Sequence, residues 1–463
     1  MSDSNKKNRF NMNLTQGDPL KVILIFALPL FLSNLFQQFY NLTDTAIIGH
    51  ALGDEALSAI GAVSVLYNIF ISLIFGLTNG FAVIVSNCFG AGDSKRLKRS
   101  VANSILLGII CVAVLVFTGL VFLKGIMGIL DVPADLYEAA ASYITIIIAT
   151  LPLSLAYNIC ASFLRAIGNA VAPLIILVCS AVLNVALDYT FVCVFDFGLS
   201  GAAVATALAQ LISAIVCFIY ILKKVPELHI SKSDLKFDGS LMGNLFASGI
   251  SFAMMFTVVN IGTFFLQRAI NGLGNDIIAA HTTARKIDSF CMMPVSTIAS
   301  SMATFSGQNH GAGKHRRIIE GLKKSILASF VIIVLLIVFI FVLGDEVSYL
   351  ISGSENQTII GLSHKYLNWN LPFFFVLSIL CVARNTLQGV GSKIAPIICS
   401  VMEMAIKVVM AEFLVDRFGY DGIIICEPIT WIVCAIFIMI VFFTNRHIKP
   451  ALKRSDVVTS DDP

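Results

Sequence analysis

Gln37, Asn41 and Asp44 stand at i, i+4 and i+7 within the apolar run 21–50, KVILIFALPLFLSNLFQQFYNLTDTAIIGH. That spacing puts two amides and a carboxylate on one face of a helix. A carboxylate in a lipid-spanning helix costs about 2.5–3.5 kcal/mol on insertion scales, and more when unpaired, so its presence points to function. A second acid is placed alike. Asn184 and Asp188 lie i, i+4 late in the run 166–194 and face one way. Two carboxylates with amides beside them suit a proton, which paired acids hold more tightly, or an alkali cation, which takes hard oxygen ligands. Thr206 and Gln210, one turn apart on a further run, could complete the shell. The competing reading is that each aspartate caps a helix end or bonds to a neighbour.

The elements that must position these groups are membrane helices. Hydrophobic residues make up 57% of the chain and charged residues 13%, against about 25% charge in a soluble domain; mean hydropathy is +0.88. Crossing the bilayer core takes about 20 residues. Twelve runs qualify: 20–49, 55–89, 99–123, 136–160, 166–194, 200–222, 240–272, 276–307, 316–343, 358–383, 392–416 and 421–445. Pro29, about four turns before Asp44, interrupts hydrogen bonding in the first and makes a hinge plausible. The expected fold is an all-α polytopic membrane protein of twelve helices. Lys and Arg gather in alternate connections, at Lys95, Arg96, Lys98 and Arg99, at Lys223 and Lys224, and at Lys314, Arg316 and Arg317. By the positive-inside rule both termini are then cytoplasmic. No signal peptide is expected at the polar, basic start.

The two halves resemble each other. FGAGDSKRLKRSVANSIL (89–106) aligns with HGAGKHRRIIEGLKKSIL (310–327), and at nearly the same shift Gly53 falls on Gly274, Gly168 on Gly391, and Gly198 on Gly419. Two parallel six-helix repeats follow. The expected organisation is a tail (1–19), a first lobe (20–222), a cytoplasmic linker (223–239), a second lobe (240–445) and a C-terminal tail (446–463). The repeat is also an internal control. Asp44 falls on Phe265, Asn184 on Lys407 and Asp188 on Ala411, so the acid cluster belongs to the first half alone.

The second half has its own polar set. Glu403 and Lys407, at i, i+4, form a neutralised pair or leave Glu403 as a second coupling acid. Arg285 and Asp288 share another run. Tyr40, Tyr67, Phe70, Met255, Gln267, Met292, Arg285 and Asp288 are the candidates for an adaptable substrate cavity, with packing as the plainer role of each. A net charge of +3 gives no reason to expect nucleic acid. The eleven cysteines stand singly, nearly all within apolar runs, and read as small core residues. HExxH, GxSxG and Walker signatures are absent, so neither a protease nor an ATPase is indicated, and no cofactor is expected.

Together LPLFLSNLFQQFYNLTDTAIIGHALGDEALSAIG (28–61), FGAGD (89–93), RAIGNAVAP (165–173), NVALD (184–188), GLSGAAVAT (198–206), INGLG (270–274) and GQNHGAG (307–313) resemble the multidrug and toxic compound extrusion (MATE) family, over nearly the whole chain and most closely its prokaryotic, DinF-like branch. The resemblance implies two lobes in a V shape. It implies a plasma-membrane antiporter, expected as a monomer, that exports small organic, often cationic compounds against H+ or Na+. By it Asp44, Asn184 and Asp188 match coupling residues, Gln37 and Thr206 their neighbours, and Pro29 a bending proline. The branch with acids on helices seven and ten finds no match here, where those helices offer Gln267, Arg268 and Arg384. A lipid-linked precursor flippase of the same superfamily is the alternative.

Overall fold

The computed structural model describes residues 11–453 except Asp131. The tail charges Lys6, Lys7, Arg9 and Arg454 lie outside the described residues. The helices are α1 (Pro19–Gly90), α2 (Ser94–Val121), α3 (Leu123–Ile129), α4 (Tyr137–Ala149), α5 (Leu151–Ala166), α6 (Val171–Asp188), α7 (Gly198–Lys224) and α8 (Gly239–Asn271). They continue with α9 (Asn275–Gly311), α10 (His315–Ser352), α11 (Gln357–Asn370), α12 (Phe374–Gly389), α13 (Ile394–Phe418), α14 (Tyr420–Thr444) and the short α15 (Lys449–Lys453). Among the described residues there is no strand. A lipid-spanning chain must satisfy its backbone internally, and helices do so within each segment.

Among the described residues nine helices are long and apolar enough to cross a membrane, ten when α4 and α5, bent by 44°, count as one span. Two further spans complete the twelve expected. The 72 residues of α1 are two arms that meet at Gly53, where φ 78° and ψ −171° break the helix. α9 is long enough at 37 residues but carries Arg285, Lys286 and Asp288. It is shielded by α10, α11 and α12, which pack along it.

The internal repeat extends to the backbone. Gly53 and Gly274, Gly92 and Gly313, Gly168 and Gly391, and Gly198 and Gly419 are paired by the sequence alignment, and all eight have positive φ. A left-handed backbone favours glycine, so matching glycines mark matching connections in the two halves.

The chain divides into two compact units. The first holds Leu28–Ala253 with the tail up to Asn13; the second holds Leu14–Ala27 with everything from Met254. The boundary therefore crosses α1 two residues before Pro29 and α8 near its middle, inside helices rather than in the 223–239 connection.

Lipid offers little hydrophobic drive for helix association, so close packing of small residues carries more of it. In the first unit α1 presents Gly76 and Gly80, and α8 presents Gly249 and Ala253. A Cβ on Gly80 would lie 2.4 Å from Gly249 Cα, and one on Gly76 would lie 2.3 Å from Ala253 Cα. The Ser248 hydroxyl donates to Gly80 O at 2.9 Å across the same contact. Phe81, Ile144, Ile148 and Leu151 fill the first core; Ile287, Tyr366, Phe374 and Trp431 belong to the second.

In the second unit, Leu14 is fully buried and its N–H donates to Gln308 Oε1 at 3.1 Å. Asn309 Nδ2 donates to Leu14 O, Lys314 Nζ to Thr15 O, and Arg317 to Leu14 O, Gln16 O and Gly17 O. Asp18 pairs with Lys324.

Candidate functional site

The acid cluster forms within the first unit. Asp44 lies half-buried on the first arm of α1; Asp188, the last residue of α6, is fully buried. Their side chains are within hydrogen-bonding reach of one another. A bond between two carboxyl groups requires a proton on one of them. Oδ1 of each acid is shielded from solvent and has no hydrogen-bond partner. Among the described residues no Lys or Arg forms an ion pair with either acid. Buried polar groups are almost always partnered, so two orphaned carboxylate oxygens side by side are receptive to a cation.

The surroundings hold the pair in place. The orientation that satisfies the Asn184 amide has its nitrogen donating to Asp188 Oδ2 at 2.7 Å and its oxygen accepting from Thr206 N at 3.2 Å. α6 passes directly into a π-helical turn, Tyr189–Val194, after Asp188; such turns are frequent at functional sites. The Tyr40 hydroxyl hydrogen-bonds Thr206. Tyr67 is within electrostatic range of Asp44, and Tyr143 within that of both acids.

Not every expected residue joins this set. Gln37 Nε2 donates to Asn41 Oδ1 at 3.4 Å, so these exposed amides bond each other instead of the carboxyls. Gln210 accepts from the Ser154 hydroxyl. α1 stays helical through Pro29, whose carbonyl accepts from the Ser33 hydroxyl at 2.8 Å; the backbone break in this helix is at Gly53. Of the cavity candidates in this unit, Tyr40 and Tyr67 are within electrostatic range of the acids, whereas Phe70 is packed in the core over Gly119. Tyr143 was not singled out from sequence.

The second unit holds a chain of buried charges. Arg285 Nη1 lies 3.4 Å from Asp288 Oδ2 and 3.5 Å from Glu427 Oε1. Lys407 Nζ lies 3.4 Å from both Glu427 Oε1 and Glu403 Oε1. Arg384 Nη1 reaches Glu403 Oε2 at 3.4 Å. Three cations thus alternate with three anions. The fully buried Tyr366 hydrogen-bonds Arg285, and His281 packs edge-on against its ring. Glu427 was missed in the sequence: it lies among apolar residues of α14, and its partners are on α9 and α13. Of the remaining cavity candidates, Gln267 Nε2 donates to Asn271 Oδ1 at 2.9 Å, Met255 is buried, and Met292 packs against the second core.

The MatE family profile matches residues 29–190 and 250–413, one stretch in each half. The probable multidrug resistance protein YoeA of Bacillus subtilis is 24% identical over 384 residues, covering 81% of this chain and 82% of that protein. The multidrug export protein MepA of Staphylococcus aureus (strain N315) is 23% identical over 428 residues, covering 92% and 94%. Among solved structures, an outward-facing multidrug resistance MATE family transporter of the MOP superfamily superposes with a TM-score of 0.88 at 22% identity, covering 97% of this chain and all of that one. Those relatives are transporters, not enzymes, and the profile match spans both halves of a twelve-span helical chain: the protein belongs to the MatE family, the multidrug and toxic compound extrusion transporters.

Proposed function

We propose that the chain is a secondary antiporter that exports amphipathic organic compounds, cationic ones among them, across the plasma membrane in exchange for H+ or Na+ taken up at Asp44 and Asp188. The observation that carries this reading is the carboxyl pair, with a buried, unpartnered oxygen on each acid and, among the described residues, no Lys or Arg ion-paired with either. Asn184 fixes Asp188, and Tyr40 with Thr206 closes the shell. With both termini cytoplasmic, as the basic connections suggest, the pair lies in the outer half of the membrane and loads from outside. Loading removes the repulsion between the two acids, and the arm of α1 beyond Pro29 shifts. The ion and the drug then bias one conformational equilibrium in opposite directions, which is what exchange requires. The names of the relatives YoeA and MepA support a drug substrate. A pyrophosphate-carrying lipid is the poorer fit, since Arg285, Arg384 and Lys407 are already held by carboxylates.

The test is drug efflux in everted vesicles, with H+ and Na+ gradients imposed separately, for wild type beside Asp44→Asn and Asp188→Asn. Coupling free energies correspond to about 5–150-fold changes in affinity, so gradient-driven efflux should fall about tenfold or more in each variant. Drug binding without a gradient should remain. Undiminished gradient-driven efflux in both variants would refute the assignment.

A further inference from the structure

Three of the seven histidines of the chain meet at one end of the second unit. His310 stands in the last turn of α9. The left-handed Gly313 turns the chain back so that His315 opens α10. His447 follows α14 in the turn that leads into α15. His310 Nδ1 lies 3.0 Å from His315 Nε2. The ring centroids of His310 and His447 are 4.8 Å apart, and those of His315 and His447 5.9 Å. One ring nitrogen from each lies within 4.8 Å of the other two. All three rings are half-buried, which leaves a side open to water.

We propose that His310, His315 and His447 form a binding site for a divalent transition-metal ion of the zinc class, separate from the carboxyl pair. Three imidazoles with an open fourth position are a recurrent ligand set for Zn2+, and imidazole also suits Ni2+, Cu2+ and Co2+. Nitrogens about 2.0–2.1 Å from a tetrahedral Zn2+ lie roughly 3.4 Å from one another. The His310–His315 contact is already that close, and ring rotation at His447 supplies the rest. Arg446 competes with the ion: its Nε donates to His447 Nε2 at 3.0 Å. Its side chain is exposed and has water to turn into. The three ligands come from the end of α9, the start of α10 and the segment after α14. A bound ion therefore ties the C-terminal segment to the α9–α10 turn, and cytosolic metal becomes a ligand of this end of the transporter.

The experiment uses the full-length protein in nanodiscs, purified without a histidine tag and freed of metal with a chelator. Co2+ is titrated by visible absorption, and Zn2+ is scored by thermal stabilisation, which rises with the ratio of free metal to Kd. One equivalent of Co2+ should bind. His310→Gln, His315→Gln and His447→Gln should each weaken binding about tenfold or more. His50→Gln, at an exposed site on α1, should leave it unchanged, and Arg446→Gln should tighten it. Absence of saturable binding would overturn the proposal. So would wild-type affinity in the His315→Gln/His447→Gln double variant, which would place the metal elsewhere.

Discussion

Glu427→Gln is the substitution that most directly tests how the second unit tolerates six charges among apolar helices. Glu427 is 2% exposed and bridges Arg285 and Lys407, at 3.5 and 3.4 Å. The network of Arg285, Asp288, Glu427, Lys407, Glu403 and Arg384 sums to zero when all are ionised. Removing one carboxylate leaves a surplus positive charge shared between Arg285 and Lys407. Breaking a buried pair from one side costs about 3–5 kcal/mol, because the remaining charge has lost its compensation. That corresponds to roughly a 10²–10⁴-fold change in the unfolding constant. Lys407→Met alone should cost a similar amount, leaving one surplus negative charge shared between Glu403 and Glu427. The double variant restores neutrality, so its cost should be clearly smaller than the sum of the two single costs. The assay is reversible unfolding of detergent-solubilised protein for the four members of the cycle. Wild-type stability in Glu427→Gln, or strict additivity in the double variant, would refute the claim that charge balance holds this network together.

The other predictions follow from local geometry. Gly80→Ala forces a methyl to within 2.4 Å of the Gly249 backbone, so it should destabilise the first unit by about 1–3 kcal/mol, read as a lower unfolding midpoint; Gly243→Ala, with open space at its Cβ, should be far milder. The hydrogen bond from Lys324 holds the Asp18 carboxyl below its usual range near 3.8. A carboxylate with a depressed pKa contributes stability that is present above the unfolded value and lost as pH falls through the folded one. Protection of the Leu14 amide, corrected for intrinsic exchange, should therefore decline on acidification below about 3.8 in wild type and be pH-independent there in Asp18→Asn. Asn184→Leu leaves Asp188 Oδ2 without its donor and should impair coupled efflux while drug binding persists, measured in the same vesicles as the carboxylate variants.

Much of the fold was legible because membrane helices announce themselves by length and apolarity, and because paired glycines mark the repeat. The gap between the first two runs did not end the helix: α1 continues from Pro19 to Gly90 and only kinks at Gly53. α9 is too polar to stand out as a span, with Arg285, Lys286 and Asp288 in its first half and many Ser and Thr in its second, and its neighbours, not its own composition, make it a span. Asp44, Asn184 and Asp188 could be picked out because an acid in an apolar run is costly and an i, i+4 neighbour is visible in one dimension. Gln37 and Asn41 share the face of Asp44, yet their shortest path is to each other. Glu427, Tyr143 and the histidine triad escaped notice for a common reason. Their partners lie far away in the chain: Glu427 meets Arg285 and Lys407, and His447 meets His310 and His315. Periodicity within one segment carries no information about such pairings.

The segment Leu14–Asp18 precedes the first helix, yet its partners are Gln308, Asn309, Lys314, Arg317 and Lys324. Its carbonyls accept from Asn309, Lys314 and Arg317, the Leu14 N–H donates to Gln308, the Asp18 carboxylate pairs with Lys324, and its one apolar side chain is fully buried. For anyone building chimaeras of such transporters, the unit of exchange is therefore not the helix. A graft of α9 and α10 from a relative has to bring its own stretch before α1, while a graft of α1 alone should begin at Pro19 and leave the native five residues where they are. A truncation that removes everything before the first helical residue looks conservative on a topology diagram, but it strips the α9–α10 turn of its lining.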